Sequence, residues 1–111
     1  MKRGDVWRVR LPAASGHAQA GERPALIVQH DAMTAVLPTV LVVPFTGSLA
    51  ATRFAGTLRV DPDGTNGLTV PSVALAFQVR AVDQRDCIQR LGAVDAATLR
   101  TVIDLIKALV G

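Results

Sequence analysis

Thr39-Val40-Leu41-Val42-Val43-Pro44-Phe45 (TVLVVPF) is the stretch on which the fold turns. It is continuously apolar after Thr39 and rich in branched side chains, and Thr46-Gly47-Ser48 ends it with turn-forming residues. Such a short run reads as a strand covered on both faces. The longer apolar segment from Ala35 to Phe45 contains Pro38 and Pro44 and reaches only about half the length that crosses a bilayer. A soluble, cytoplasmic protein without membrane contact is the expectation.

Upstream of that strand, Asp5 to Leu11 (DVWRVRL) sets Val6, Arg8 and Arg10 against Trp7, Val9 and Leu11. This period of two predicts a strand with a basic outer face. Pro12 to Glu22 (PAASGHAQAGE) is small, polar and glycine-containing, and reads as a long mobile loop. Arg23 to His30 (RPALIVQH) reads as a strand whose early proline needs no ladder donor. A turn or single helical turn is expected at Asp31 to Leu37.

Downstream, strands are expected at Phe54 to Val60 and Ser72 to Ala81, separated by the turn chemistry of Asp61 to Gly67 (DPDGTNG). Only the C-terminus is convincingly helical. Asp95 is placed to cap it, Leu99, Val102, Ile103, Ile106, Leu109 and Val110 recur at three and four residues, and Gly111 follows the last turn. The fold class is mainly β (α+β): a small antiparallel barrel of five to seven strands with a C-terminal helix, one domain over residues 1–111. No internal repeat or second-domain boundary is visible.

A chain of 111 residues, half of them hydrophobic, buries roughly two thirds of its unfolded surface and is not a disordered chain. The single Cys87 has no intramolecular disulfide partner, and with His17 and His30 it is too small a set for a four-ligand zinc site of cysteine and histidine. Neither metal nor cofactor is expected. The basic start Met1-Lys2-Arg3-Gly4-Asp5 is not followed by an apolar stretch of signal-peptide length, so no export signal is expected. Twelve Lys+Arg against nine Asp+Glu give +3, a balance that supports a nucleic-acid partner only weakly. Ten of the twelve cations are arginine. Its planar fork suits phosphate, although a GC-rich genome favours arginine too.

Four segments in order carry a family resemblance: Arg3-Gly4-Asp5-Val6-Trp7, Gly21-Glu22-Arg23-Pro24-Ala25-Leu26-Ile27-Val28, Val43-Pro44-Phe45-Thr46 and Gln78-Val79-Arg80-Ala81-Val82-Asp83. The chain resembles the MazF/PemK toxins of bacterial type II toxin-antitoxin systems, over nearly its whole length and including Leu91-Gly92-Ala93-Val94 before the closing helix. The resemblance implies an SH3-like barrel, a homodimer, and sequence-specific, metal-independent cleavage of single-stranded RNA. It also implies inhibition by a cognate antitoxin, with operator DNA bound only together with that antitoxin.

Such cleavage uses the ribose 2′-hydroxyl as nucleophile, so the protein must help deprotonate it, stabilise charge on the phosphoryl oxygens and protonate the leaving oxygen. Arg23, where the loop enters a strand, is the best-placed phosphate clamp, with a surface arginine at a strand start as the alternative. Thr46, where the apolar strand emerges, can donate a hydroxyl to a phosphoryl oxygen or serve only as a turn-former. The resemblance makes these two the catalytic pair. His17 can act as acid, base or phosphate contact, or be an exposed loop histidine. Gln78 and Arg80 fall where the family runs beside its RNA groove, and Arg80 either holds a neighbouring phosphate or points outward. Gln19, Glu22 and Ser48 complete the auxiliary set. His30 is read as structural, and Cys87 as a small buried filler.

Two places depart from the family pattern. Aligned on Gly16, the position of a common glutamate is Ala18, and the aspartate before the later glutamine is replaced by Phe77. Another group, His17 or Glu22, must then move protons, or the protein is slower. Phe77 is either a stacking face for a base or a buried core residue. Two alternatives stay open: a member that binds RNA or antitoxin without cutting, and a gyrase-directed toxin like the CcdB toxins, which share the barrel. The second lacks support in the ending Ile106-Lys107-Ala108-Leu109-Val110-Gly111, which has no aromatic residue.

Overall fold

The structure, a computed structural model, describes residues 1–12, 16 and 19–111. Its elements run β1 (Asp5–Leu11), β2 (Gly21–Ile27), α1 (Asp31–Thr34), β3 (Thr39–Thr46), β4 (Thr57–Val60), β5 (Ser72–Leu75), β6 (Arg80–Asp83), β7 (Cys87–Ala93) and α2 (Ala96–Val110). Every ladder is antiparallel, in the order β4-β5-β3-β2-β1-β7, with β6 pairing β3. The mainly β fold with a C-terminal helix is as expected, and its seven strands are the upper end of the five to seven expected.

β3 organises the rest because both of its faces are used. Val43 and Phe45 belong to a cluster with Leu26, Val28, Ala74 and Val102. Val40 and Val42 belong to a second cluster with Val9, Leu11, Ala25, Ile27 and Val82. Only Leu41 departs from two-sided cover within the run, at 41% exposure. One edge of β3 pairs β2, and the other pairs β6 along its first half and β5 at its end. Between β5 and β6 lies a 3-10 turn, Ala76–Gln78. Phe45 stands opposite Ala74 and Val42 opposite Arg80. Three residues of β3 therefore match six of the partner, the surplus being that turn. The expected single strand Ser72 to Ala81 is in fact two strands with a corner.

Other boundaries differ for local reasons. β2 starts at Gly21, not Arg23, because the β1 ladder continues to Leu11 opposite Gly21. It ends at Ile27, and the buried Gln29 beyond it bonds Thr34 Oγ1 and the Thr39 carbonyl. Phe54 follows a 3-10 turn, Leu49–Arg53, so β4 begins only at Thr57. β7 has no counterpart in the sequence reading. It is a sheet-edge strand with Ile88, Gln89 and Arg90 exposed and two register shifts against β1, which erase the period of two.

α2 closes the first cluster. Asp95 accepts the Thr98 N–H at 2.7 Å, as its capping position predicts. Val102 is fully buried, and Leu99, Ile103, Leu105 and Ile106 pack around the cluster. Leu109 and Val110 do not continue the buried stripe, since the last turn leaves Val110 86% exposed. Val6, grouped by alternation with the exposed Arg8 and Arg10, is itself fully buried in this cluster. The turn between β4 and β5 is locked beneath β7: the Ala93 N–H donates to the Thr65 carbonyl at 2.9 Å. A Cβ on Gly67 would collide with the Leu91 carbonyl, and one on Gly92 with that of Thr65.

Candidate functional site

Side chains alternate across a strand, and residues directly opposite in a ladder share a face. Arg23 stands opposite Val9, so it is rooted on the face of the second cluster, away from α2. Arg80 stands opposite Val42, with Val82 two residues on, and belongs to that face as well. Thr46 stands opposite Val73 and follows Val42 and Pro44 in alternation, which places it on the same side. Arg23 and Thr46 each lie two residues beyond the Ala25–Pro44 pair, at one end of the β2–β3 ladder.

At that end a cavity of about 170 Å³ is lined by Gln19, Thr46, Ser48, Ala51, Arg53, Phe54, Leu75, Phe77 and Gln78. Five residues singled out from the sequence meet here: Gln19, Thr46, Ser48, Phe77 and Gln78. Thr46 is buried, and its Oγ1 accepts the Ser48 N–H at 3.2 Å, so the hydroxyl keeps its own proton to donate. The Gln78 Oε1 accepts the Gln19 N–H at 2.9 Å and ties the end of the β1–β2 connection to the β5–β6 corner. The described lining contains no carboxylate or imidazole, and Arg53 is its one cation. Neither Arg53 nor Leu75 is among the site residues expected from the sequence. The turn that presents Arg53, Leu49–Arg53, is set by 3-10 bonds such as Ala51 N–H to the Ser48 carbonyl.

Phe77 is not a buried core residue. It is half-buried, packed against Ala51, Val73 and Leu75, and lines the cavity. Its ring centroid is 5.5 Å from that of Phe54, at an interplanar angle of 51°.

The other candidates divide. Arg23 is half-buried, and its Nε donates to the Ala20 carbonyl at 3.0 Å. It shares the face and the ladder end with Thr46 without lining the cavity. Arg80 does not point outward: its Nε and Nη2 are buried and have no hydrogen-bond partner among the described residues. Glu22 is exposed and stands opposite Arg10, on the other face of the sheet. His17 and Ala18 lie outside the described residues. The His30 Nδ1 accepts the Ala32 N–H at 3.2 Å and caps α1, a structural role. Burial pushes the Cys87 thiol up to about 11, with Asp86 adding to the shift, so it stays protonated at neutral pH. Among the described residues no cluster of three or more His, Cys, Asp or Glu is placed to hold a metal, and no helix is long and apolar enough to cross a membrane.

Residues 2–110 match the family model described as PemK-like, MazF-like toxin of type II toxin-antitoxin system. The chain is 38% identical over 85 residues to endoribonuclease PemK of Escherichia coli, covering 77% of this chain and 62% of that protein. To endoribonuclease MazF9 of Mycobacterium tuberculosis it is 31% identical, over 96% of this chain and 93% of the relative. The fold is similar to a crystal structure of MazF from Deinococcus radiodurans, with TM-score 0.83, 25% identity, and 100% and 96% of the two chains covered. A mycobacterial endoribonuclease solved with its cognate antitoxin is similar in fold at TM-score 0.76 and 21% identity, over 100% and 95% of the chains.

Proposed function

The chain belongs to the family of PemK-like, MazF-like toxins of type II toxin-antitoxin systems, and from that premise we propose how it acts. It is an endoribonuclease toxin, the reaction class for which its relatives are named. It cuts single-stranded RNA at short sequences without a metal. The ribose 2′-oxygen attacks the adjacent phosphorus and the bond to the 5′-oxygen breaks. A 2′,3′-cyclic phosphate and a 5′-hydroxyl result. The 2′-hydroxyl proton passes to a base, and the leaving 5′-oxygen takes one up.

Arg23 clamps the scissile phosphate with a charge it does not lose at neutral pH. Thr46 donates its hydroxyl proton to a phosphoryl oxygen, oriented by the Ser48 N–H that its Oγ1 accepts. Arg80 holds a neighbouring phosphate, and Gln19, Ser48 and Gln78 border the RNA. His17, two residues before Gln19, is the proton-transfer group, because the described lining offers no other titratable base and Glu22 stands on the opposite face. Imidazole exchanges a proton near neutrality, as this step requires.

The observation that carries the reading is Arg80. A guanidinium whose buried Nε and Nη2 have no hydrogen-bond partner among the described residues, on the same face as Arg23 and Thr46, is the kind of group that an anion such as a phosphate would satisfy. Purified protein is expected to cut single-stranded RNA in EDTA and leave cyclic phosphate ends. Arg23→Ala lowers the rate about a hundred-fold or more, by analogy with loss of one oxyanion donor. Salt-sensitive binding with the RNA recovered intact would instead identify a binding member of the family.

The protein's partner is a cognate antitoxin, as for the mycobacterial endoribonuclease of the same fold. A homodimer is supported by exposed apolar residues around α1 and on β3: Val36 at 73%, Leu37 and Leu41. Operator DNA is bound only together with the antitoxin. Sedimentation at micromolar concentration is expected to give a dimer, and a stable monomer there overturns that part.

A further inference from the structure

The geometry points to a nucleobase subsite built on Phe77: one unpaired base beside the scissile phosphate stacks on the cavity side of its ring. This deepens, and rests on, the endoribonuclease reading of the same site.

The ring is prepared for that use. It packs against the cluster of Ala51, Val73 and Leu75, and lines the cavity together with Ala51 and Leu75. Its backbone is held by the Phe77 N–H donating to the Gly56 carbonyl at 3.2 Å. Gly56, at φ +73°, leaves open the space in which a Cβ would come within 3.2 Å of the Phe77 Cβ. Phe54 stands too near to admit a base between the rings. Their centroids are 5.5 Å apart, whereas a base sandwiched on both sides needs about 7 Å, two contact distances. Phe54 therefore packs tilted against Phe77, and is itself covered by Arg53, whose Cζ lies 4.5 Å from the Phe54 centroid.

The cavity's size and chemistry fit one base. At about 170 Å³ it is smaller than the ~300–1,000 Å³ typical of sites for drug-sized ligands. Its lining combines the Phe54 and Phe77 rings with the polar side chains of Gln19, Ser48 and Gln78, the chemistry that a base's face and edge require. Thr46 in the same lining joins this subsite to the phosphate it serves. Every base offers a flat π-face, so the ring contributes affinity for a base as such, while the polar groups select among bases.

The test uses a set of otherwise identical oligoribonucleotides in which each nucleotide flanking the cut is replaced in turn by an abasic one. Wild-type protein is expected to lose roughly 5- to 150-fold in cleavage rate at one position, the range for one stacked base. Phe77→Leu, which keeps apolar volume without a ring face, should lose a similar factor on the intact RNA and show no further loss when that base is removed. Phe77→Tyr should restore both the rate and the sensitivity, which separates stacking from a folding defect. A Phe77→Leu protein that stays as sensitive as wild type to base removal overturns the subsite while leaving the endoribonuclease intact. If wild-type protein binds RNA without cutting it, the same comparison of affinities decides. Neither cutting nor binding overturns both readings.

Discussion

Thr46 is 8% exposed, yet its hydroxyl can be removed with little change in shape. Thr46→Val is expected to cut RNA about a hundred-fold more slowly. Its stability should fall by no more than about 1 kcal/mol, because the Ser48 N–H that loses its acceptor is exposed enough to bond water. Thr46→Ser keeps the hydroxyl and should keep most of the activity; single-turnover rates beside urea unfolding separate the two effects. Gly92→Ala is the opposite kind of change, far from the cavity. Its Cβ would meet the Thr65 carbonyl and the Gly67 backbone, and urea unfolding should show a loss of at least about 1–3 kcal/mol, the range for overpacking. At this scale the sequence leaves Thr46 open between a hydroxyl donor and a turn-former, and it is the family resemblance that singles it out. Arg80 and Phe77 are left open too. Their faces depend on a three-residue turn that shifts the register between β5 and β6, and no alternation in Ser72 to Ala81 reveals it.

Elements announce themselves when their period is clean and their ends are capped. α2 satisfies both, and its cap is measurable. The Thr98 N–H donated to the Asp95 carboxylate holds that carboxyl below its usual range. Backbone and hydroxyl donors of Thr65, with the Asn66 N–H, do the same for Asp63, and Arg85 does so for Asp83. A carboxyl with a lowered native pKa binds protons less readily folded than unfolded. Its contribution is complete above about pH 3.9, the unperturbed value, and disappears as the pH falls through the lowered native one. Thermal unfolding followed from pH 7 to pH 2 should therefore show stability declining below about pH 4. Asp95→Asn, which caps without titrating, should flatten part of that decline and leave the midpoint at pH 7 little changed. β7 fails both criteria: its two register shifts and exposed centre hide it, although Gly92 within it is indispensable to the packing of the β4–β5 turn.

For the molecule as a whole, the sheet separates two jobs. One face is sealed by α2 over the first cluster, and the other carries Arg23, Thr46, Arg80 and the cavity. Charge totals conceal this division, since a net +3 says nothing of which side holds the arginines. RNA affinity is expected to fall linearly with salt on logarithmic axes, and Arg80→Gln to make that slope shallower by about one phosphate contact. The Arg80 nitrogens, without a hydrogen-bond partner among the described residues, have a last consequence, for the protein's lifetime. Binding an anion there and resisting unfolding are reciprocal, so a ligand at a hundred times its dissociation constant raises the unfolding free energy by about 2.7 kcal/mol. The unliganded chain is thus its own most perishable form. Differential scanning fluorimetry with short RNA or an acidic peptide should rank ligands by the rise in melting temperature, with no turnover needed, and Arg80→Gln should compress that ranking.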